Sequence, residues 1–175
     1  LKRCLACNSK RLEKVLDLGK QPLANNYGQK KKYPLVLNGC LECGHGQLSI
    51  SVNPKKLFSH YLYESGTSNT LKQWFDDFAK SITYLYGKGS ILDIASNDGT
   101  FLRSCRDQGW TVMGVDPAKN LVPSDIPTVC EFFGEHSDLG KYDVVTAFNV
   151  IAHTPNPLSI LKGVRKALNA SGRAF

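Results

Sequence analysis

The chain is expected to be α/β: an incomplete, doubly wound parallel sheet preceded by a small β-rich metal-binding module. Three observations in its 175 residues predict this. From residue 70 onward, short apolar runs alternate with amphipathic stretches, the pattern of βαβ units. Within that region, Gly89-Ser-Ile-Leu-Asp-Ile-Ala-Ser-Asn-Asp-Gly-Thr100 passes from an apolar run through small polar residues into a helical run. Near the amino end stand two CxxC pairs, four of the 6 cysteines in the chain.

The metal-binding module comes first. Cys4-Leu-Ala-Cys7-Asn8 and Cys40-Leu-Glu-Cys43-Gly44 each place two thiols on one backbone turn. Asn8 and Gly44 are residue types that tolerate the left-handed conformation such turns use. Two such turns make a tetrahedral site, so Cys4, Cys7, Cys40 and Cys43 are expected to hold a structural Zn²⁺. Four reduced structural cysteines, or a redox pair, are the competing reading. His45 is either a spare ligand or a loop histidine, whereas Cys105 and Cys130 read as packing residues on a helix and a strand. Residues 11–18, 33–37 and 47–52 have the character of short strands. A module this small cannot bury a large core, so metal would supply much of its folding energy.

Residues 54–63 have helical apolar spacing, broken by the polar, aromatic loop Tyr61-Leu-Tyr-Glu-Ser-Gly-Thr-Ser68. From Thr70 to Tyr86 the apolar positions Leu71, Trp74, Phe75, Phe78, Ile82 and Leu85 recur at intervals of three and four, an amphipathic helix. The domain boundary is placed in the loop before it, dividing the chain into residues 1–65 and 66–175. Strands are then expected at residues 91–94, 110–116, 126–132 (weak) and 142–149, with helices from Thr100, from Ala118 (short) and over 157–168. Residues 171–175 read as the turn into a fifth strand, where the sheet is cut short.

Hydrophobic residues at 42% suffice for a packed core, and no apolar run reads as a membrane span or secretory signal. A cytoplasmic, monomeric protein with no membrane partner is expected, although Leu1 is not an initiator and sequence upstream is left open. The formal charge of +7 is scattered, and its one tight run, Gln29-Lys-Lys-Lys-Tyr33, reads as a solvated loop rather than a nucleic-acid patch. Four thiolates and one Zn²⁺ would bring that charge to about +5. A mildly basic surface suits an anionic small-molecule substrate.

A strand, turn and helix followed by an acid on the next strand fits two cofactor classes. A dinucleotide wants G-x-G-x-x-G, whose glycines let a pyrophosphate touch backbone. Here Ala95-Ser-Asn-Asp-Gly99 has one glycine and a carboxylate, Asp98, that would repel a pyrophosphate. S-adenosylmethionine carries a sulfonium and an ammonium and no phosphate, so acids beside the turn are tolerated. Asp116 is placed to take both ribose hydroxyls, and Asp93 to orient the turn or, through water, the methionine ammonium.

Asp93-Ile-Ala-Ser-Asn-Asp-Gly-Thr100, Gly114-Val-Asp-Pro117 and Asn149-Val-Ile-Ala-His-Thr154 resemble the motifs of class I S-adenosylmethionine-dependent methyltransferases. With the CxxC pairs, Gly19-Lys-Gln-Pro-Leu-Ala-Asn25 and Tyr61-Leu-Tyr-Glu-Ser-Gly-Thr-Ser68, nearly the whole chain is similar to the sugar C-methyltransferases of deoxysugar biosynthesis. The resemblance implies an incomplete Rossmann-like methyltransferase sheet behind a zinc-binding domain, with a carboxyl-terminal domain beyond this stretch. It implies cofactor contacts at Asp93, Ala95, Ser96, Asn97, Gly99, Asp116, Pro117 and Asn149. Its substrate would be a nucleotide-diphosphate-linked 4-keto sugar, methylated on carbon.

That chemistry needs a base to remove the proton next to the ketone and a donor to stabilise the enolate oxygen, whose carbon then takes the methyl. His153 and Tyr63 are the candidate catalytic residues. His153 has a suitable reference pKa, but it equally reads as a cap or packing residue. A histidine beside a glutamate in the family's carboxyl-terminal part would leave it an assisting role. Two residues depart from the family pattern: Ala95 stands where glycine is usual, and Trp74 where histidine is frequent. Two other functions compete: O- or N-methylation of another metabolite, and a zinc-ribbon binding module on a degenerate methyltransferase scaffold.

Overall fold

The computed structural model describes residues 1–24, 28 and 30–175. Asn25 of the 19–25 motif and Gln29 of the basic run lie outside the described residues. The amino-terminal module is an antiparallel sheet of β1 (Leu12–Pro22), β2 (Lys32–Cys40) and β3 (Gly46–Leu48), in that order. β1 and β2 run beyond the expected 11–18 and 33–37, because their pairing continues from Leu12 opposite Cys40 to Pro22 opposite Lys32. β3 is shorter than expected, since its ladder with β2 runs only from Gly46 opposite Gly39 to Leu48 opposite Leu37. Both knuckle turns close as expected, with Asn8 at φ 62 and Gly44 at φ 73.

Helix α1 (Pro54–Phe58) is capped by Asn53, whose side chain accepts the Lys55 N–H, and it ends before the expected Tyr63. A 3-10 turn at Ser65–Thr67 leads into α2 (Asn69–Tyr86). Ser68 caps α2 by accepting the Leu71 N–H, and Gly87 closes it at φ 76.

The main sheet contains β4 (Ser90–Ile94), β5 (Thr111–Val115), β6 (Thr128–Val129), β7 (Tyr142–Thr146) and β8 (Leu168–Ala174), with α3 (Thr100–Asp107) after β4 and α4 (Pro157–Ala167) after β7. Its order is β6-β5-β4-β7-β8, and every pairing is parallel. This is a Rossmann-like α/β sheet. Helices pack on both faces: Phe75, Ala79, Ile82, Phe101 and Leu102 of α2 and α3 bury one side of β4, and Ile160, Val164 and Ala167 of α4 bury the other. Burial on both faces explains why β4 reads as an apolar run with a single acid.

Three sequence expectations change here. Residues 118–121 form a turn closed by Leu121 N–H to Ala118 C=O, not a helix. The third strand shrinks to two residues. β8 begins directly at the end of α4 instead of after a turn at 171, and a register shift separates its Tyr142–Leu168 and Val144–Arg173 pairings. Cys105 is buried, as expected of a packing residue, but Cys130 is exposed in the loop after β6.

Candidate functional site

The chain goes from β4 outward to β5 and β6, then returns to place β7 on the other side of β4. The crevice outside the carboxyl ends of β4 and β7 is therefore the topological switch point, where such sheets hold ligands. A cavity of about 950 Å³ lies there. Tyr63, Asp93, Ala95, Ser96, Asn97, Asp116, Pro117, Asn149 and His153 all line it. Gly99 does not: at φ 78 it is the amino-cap residue of α3, packed under Pro123 and Ile126, where a Cβ would stand 3.0 and 3.2 Å away.

The turn after β4 is tightly wound. Ala95 and Asn97 lie at φ 57 and φ 53, and Asn149, just beyond β7, at φ 57. Among the described residues these three and Asn8 of the first knuckle are the non-glycine positions with positive φ. Backbone strain is thus concentrated at the cavity and the thiol cluster, as expected of functional sites. Ser96 N–H and Ala95 N–H both reach the Val115 carbonyl, tying the turn to β5. Ser96 also sits over Gly114, where a Cβ would meet its Oγ at 2.5 Å, so that approach requires glycine.

Asp93 is 4% exposed and its carboxylate accepts from Thr146 Oγ1 at 2.6 Å. Burial pushes its pKa up to about 7, with the Thr146 hydrogen bond opposing and repulsion from Asp116 adding to the rise. Asp116 is 5% exposed, and burial raises its pKa against the pull of two backbone donors. Those donors are Asn97 N–H on Oδ2 at 2.9 Å and Ala118 N–H on Oδ1 at 2.8 Å. Each oxygen keeps a second lone pair, so Asp116 can still accept from a ligand's hydroxyls.

Asp98 has a different role from the one its charge suggested. Its carboxylate accepts from Thr100 N–H and Oγ1 and from Gly66 N–H, and it does not line the cavity. It holds Thr100, the first residue of α3, and anchors the 3-10 turn, so repulsion of a pyrophosphate is no argument for the cofactor class.

His153 ends a 3-10 turn (Ile151–His153) and is exposed, as is Tyr63. Trp74 stacks on Phe78 with centroids 5.3 Å apart and meets Phe148 edge-on, giving the cavity an aromatic wall. The residue that sequence reasoning missed is Glu131. It lines the cavity with a buried Oε1 that has no hydrogen-bond partner, and Ser96 Oγ is likewise unpartnered. Its only sequence signal was an acid near the end of the weak strand expected over 126–132, which is common on any surface. Two orphaned acceptors beside two buried carboxylates suit a donor-rich, positively charged ligand, and S-adenosylmethionine, with its amine, hydroxyls and sulfonium, fits that description.

In the amino-terminal module, Cys4 and Cys43 Sγ lie 3.6 Å apart, as do Cys7 and Cys40, and all four sulfurs fall within 4.8 Å of one another. Sulfurs about 2.3 Å from a tetrahedral zinc are about 3.8 Å apart, whereas a disulfide needs about 2.05 Å. The donor set therefore fits zinc. Backbone N–H groups of Cys43 and Glu42 pull the Cys40 thiol down to about 7, and that of Cys7 lowers Cys4, whereas the crowded neighbouring sulfurs push Cys7 up to about 12 and raise Cys43. His45 is outside the cluster; its carbonyl accepts the Cys40 N–H. Lys32 lies at the end of β2 opposite Cys40, so the Lys30–Lys32 run does not surround the thiols.

Residues 58–175 match a family described as "Methyltransferase domain". The chain belongs to the methyltransferase-domain family. Residues 4–58 match a family described as "Putative zinc binding domain". The chain is similar to the C-methyltransferase NovU of Streptomyces niveus, with 28% identity over 98% of this chain and 46% of the relative. A ubiquinone biosynthesis O-methyltransferase of Glaesserella parasuis is 29% identical over 52% of this chain and 45% of its own length. The chain thus spans about half the length of the curated relatives it matches. Among solved structures, the CcbJ methyltransferase from Streptomyces caelestis superposes with a TM-score of 0.50 at 19% identity, over 57% of this chain and 47% of that one, which shows the shared fold. S-adenosylmethionine as cofactor, and zinc at the four thiols, follow from these families and from the two sites described above. Among the described residues no helix is long and apolar enough to cross a membrane.

Proposed function

We propose that the protein transfers a methyl group from S-adenosylmethionine to carbon, the acceptor being a nucleotide-diphosphate-linked 4-keto deoxysugar. The observation that carries this reading is coverage. The C-methyltransferase relative matches 98% of the chain, cysteine module included, whereas the O-methyltransferase relatives stop at about half of it. The sugar comes from the resemblance of the amino-terminal motifs, and the cytoplasmic, monomeric state and the division at residue 65 belong to the same proposal.

When bound, S-adenosylmethionine supplies an electrophilic methyl group on a sulfonium. The chain's own residues then have three tasks. Asp116, Glu131 and Ser96 would offer acceptors to the nucleoside, and Asp93, near the end of β4, would serve the amino-acid part. The aromatic wall of Trp74, Phe75 and Phe148 keeps water from the reacting carbon. In this reading His153 and Tyr63, which line the cavity, serve to take the proton from the carbon next to the ketone and to give the enolate oxygen a hydrogen bond.

The test uses the full-length protein with methyl-labelled cofactor and a nucleotide-linked 4-keto sugar. The product is expected to carry the label on carbon, and the protein alone to exchange the adjacent proton for deuterium in heavy water. Label on oxygen or nitrogen would favour the O- or N-methylating reading that the ubiquinone relatives suggest. No binding of S-adenosylhomocysteine to the full-length protein would overturn both.

A further inference from the structure

Residues 59–66 contain the Tyr-Leu-Tyr-Glu-Ser-Gly motif, yet they pair with no strand. Their backbone is instead held by two loops of the main sheet. Asn120 Oδ1 accepts the Tyr61 N–H at 2.9 Å while its Nδ2 donates to the Tyr61 carbonyl at 2.7 Å. Asn97 repeats the pattern: Oδ1 accepts the Ser65 N–H at 2.9 Å, and Nδ2 donates to the Tyr63 carbonyl at 2.9 Å. Lys119 N–H reaches the Ser59 carbonyl at 3.3 Å, and Asp98 takes the Gly66 N–H at 2.8 Å. The approach at Gly66 is close enough that a Cβ would stand 2.7 Å from Asp98 Oδ2.

Each asparagine presents one donor and one acceptor, as a neighbouring strand would, but through a side chain. Both belong to loops fastened to Asp116, whose two oxygens accept from Asn97 and Ala118. Asp116, Asn97, Asn120 and the segment therefore form one hydrogen-bonded unit, and Tyr61, Tyr63 and Ser65 line the same cavity as Asp116. Asn120 does not line it.

We infer that Asn120 is a positioning residue: with Asn97 it registers the Tyr61–Ser65 backbone against the cofactor loops, so that a ligand held at Asp116 also orders the tyrosines. This rests on the cofactor reading above. The bland alternative is a surface loop fastened to the sheet with no link to ligand.

Hydrogen exchange of the full-length protein over residues 61–66, with S-adenosylhomocysteine as probe, separates the two. In the wild type the probe should slow exchange there by about fivefold or more. Asn120→Ala should raise unliganded exchange in the segment by about fivefold and reduce the protection to under about twofold. Affinity for the probe, by calorimetry, should change by less than about threefold. Asn120→Asp keeps the acceptor for Tyr61 N–H and loses the donor, so it should restore part of the protection, and it carries the test if the alanine variant does not fold. Protection that persists without Asn120, or unliganded exchange that does not change, overturns the inference. Probe binding that leaves the wild-type segment unprotected overturns the coupling alone, whereas absence of binding overturns the cofactor reading and the coupling with it.

Discussion

Asn97 N–H donates to Asp116 Oδ2 at 2.9 Å, which joins the turn after β4 directly to the acid just beyond β5. The same carboxylate takes Ala118 N–H on its other oxygen. Asp116 is thus both a ligand candidate and the peg on which two cavity loops hang. Its burial is tolerable because both oxygens are hydrogen-bonded.

Asp116→Ala would leave two backbone donors without their acceptor. The expected cost is about 2–4 kcal/mol of stability, together with loss of S-adenosylhomocysteine binding by about a hundredfold or more. Asp116→Asn keeps one oxygen, and its effect on stability should be the smaller. Chemical denaturation and calorimetry on the two variants measure both; equal stability of Asp116→Ala and wild type would contradict the peg.

Asp93 sets a pH dependence. Its native pKa of about 7 lies above the unfolded value of about 4. The native state therefore keeps a proton that the unfolded state loses, and stability from this group is complete below about pH 4 and falls as pH rises to about 7. The slope is at most about 1.4 kcal/mol per pH unit. Asp93→Asn should flatten the curve in that window and raise Tm at pH 8. Thr146→Val, which removes the donor that favours the carboxylate, should raise the upper edge of the window by about one unit while its lower edge, set by the unfolded chain, stays near pH 4. Thermal melts across pH 4–8 read both effects.

The thiol cluster makes a metal prediction. One zinc per chain is expected by elemental analysis, and Cys40→Ser should weaken its retention. Because a three-stranded module has little core of its own, strong chelation should unfold β1–β3 while the β4–β8 sheet remains. Hydrogen exchange would show the loss as full exchange over residues 12–22 and 32–48. Unchanged protection after metal removal would mean that the hairpin stands without it.

Much of this was legible before the structure, for reasons that differ by element. α2 could be read because its buried positions, Phe75, Ala79 and Ile82, repeat with helical spacing and a serine caps it. β4 and β7 could be read because burial on both faces demands uninterrupted apolar runs. For β8 a fifth strand was expected but not its start at Leu168, since Leu168-Asn-Ala-Ser-Gly-Arg-Ala is held at the sheet edge by backbone pairing that leaves little side-chain signature. Within the site, the acids announced themselves by position, but their duties did not. Asp98 and Asp93 look alike in sequence, yet one holds Thr100 and Gly66 and the other is buried under Thr146. Asn120 was silent because its meaning lies entirely in the distant backbone of Tyr61.

Ala95 supplies the last prediction. Its φ of 57 puts an L side chain in the left-handed region, at the position where the turn leaves β4 for the cavity. The turn holds that conformation because Ala95 N–H and Ser96 N–H both bond the Val115 carbonyl and Asn97 N–H bonds Asp116. Left-handed alanine costs about 1–2 kcal/mol relative to an unstrained conformation, while glycine adds about 0.5–1 kcal/mol of unfolded-state entropy. The net effect of Ala95→Gly should be a stabilisation of about 0.5–1 kcal/mol, or a Tm rise of about 2–4 °C. Ala95 also lines the cavity, so removing its methyl widens it. Binding of S-adenosylhomocysteine should therefore be equal or tighter in Ala95→Gly, with both changes in the same direction. A fall in Tm would mean that the turn does not hold its left-handed geometry in solution, and a fall in affinity alone would mean that the methyl group is a contact rather than an obstruction.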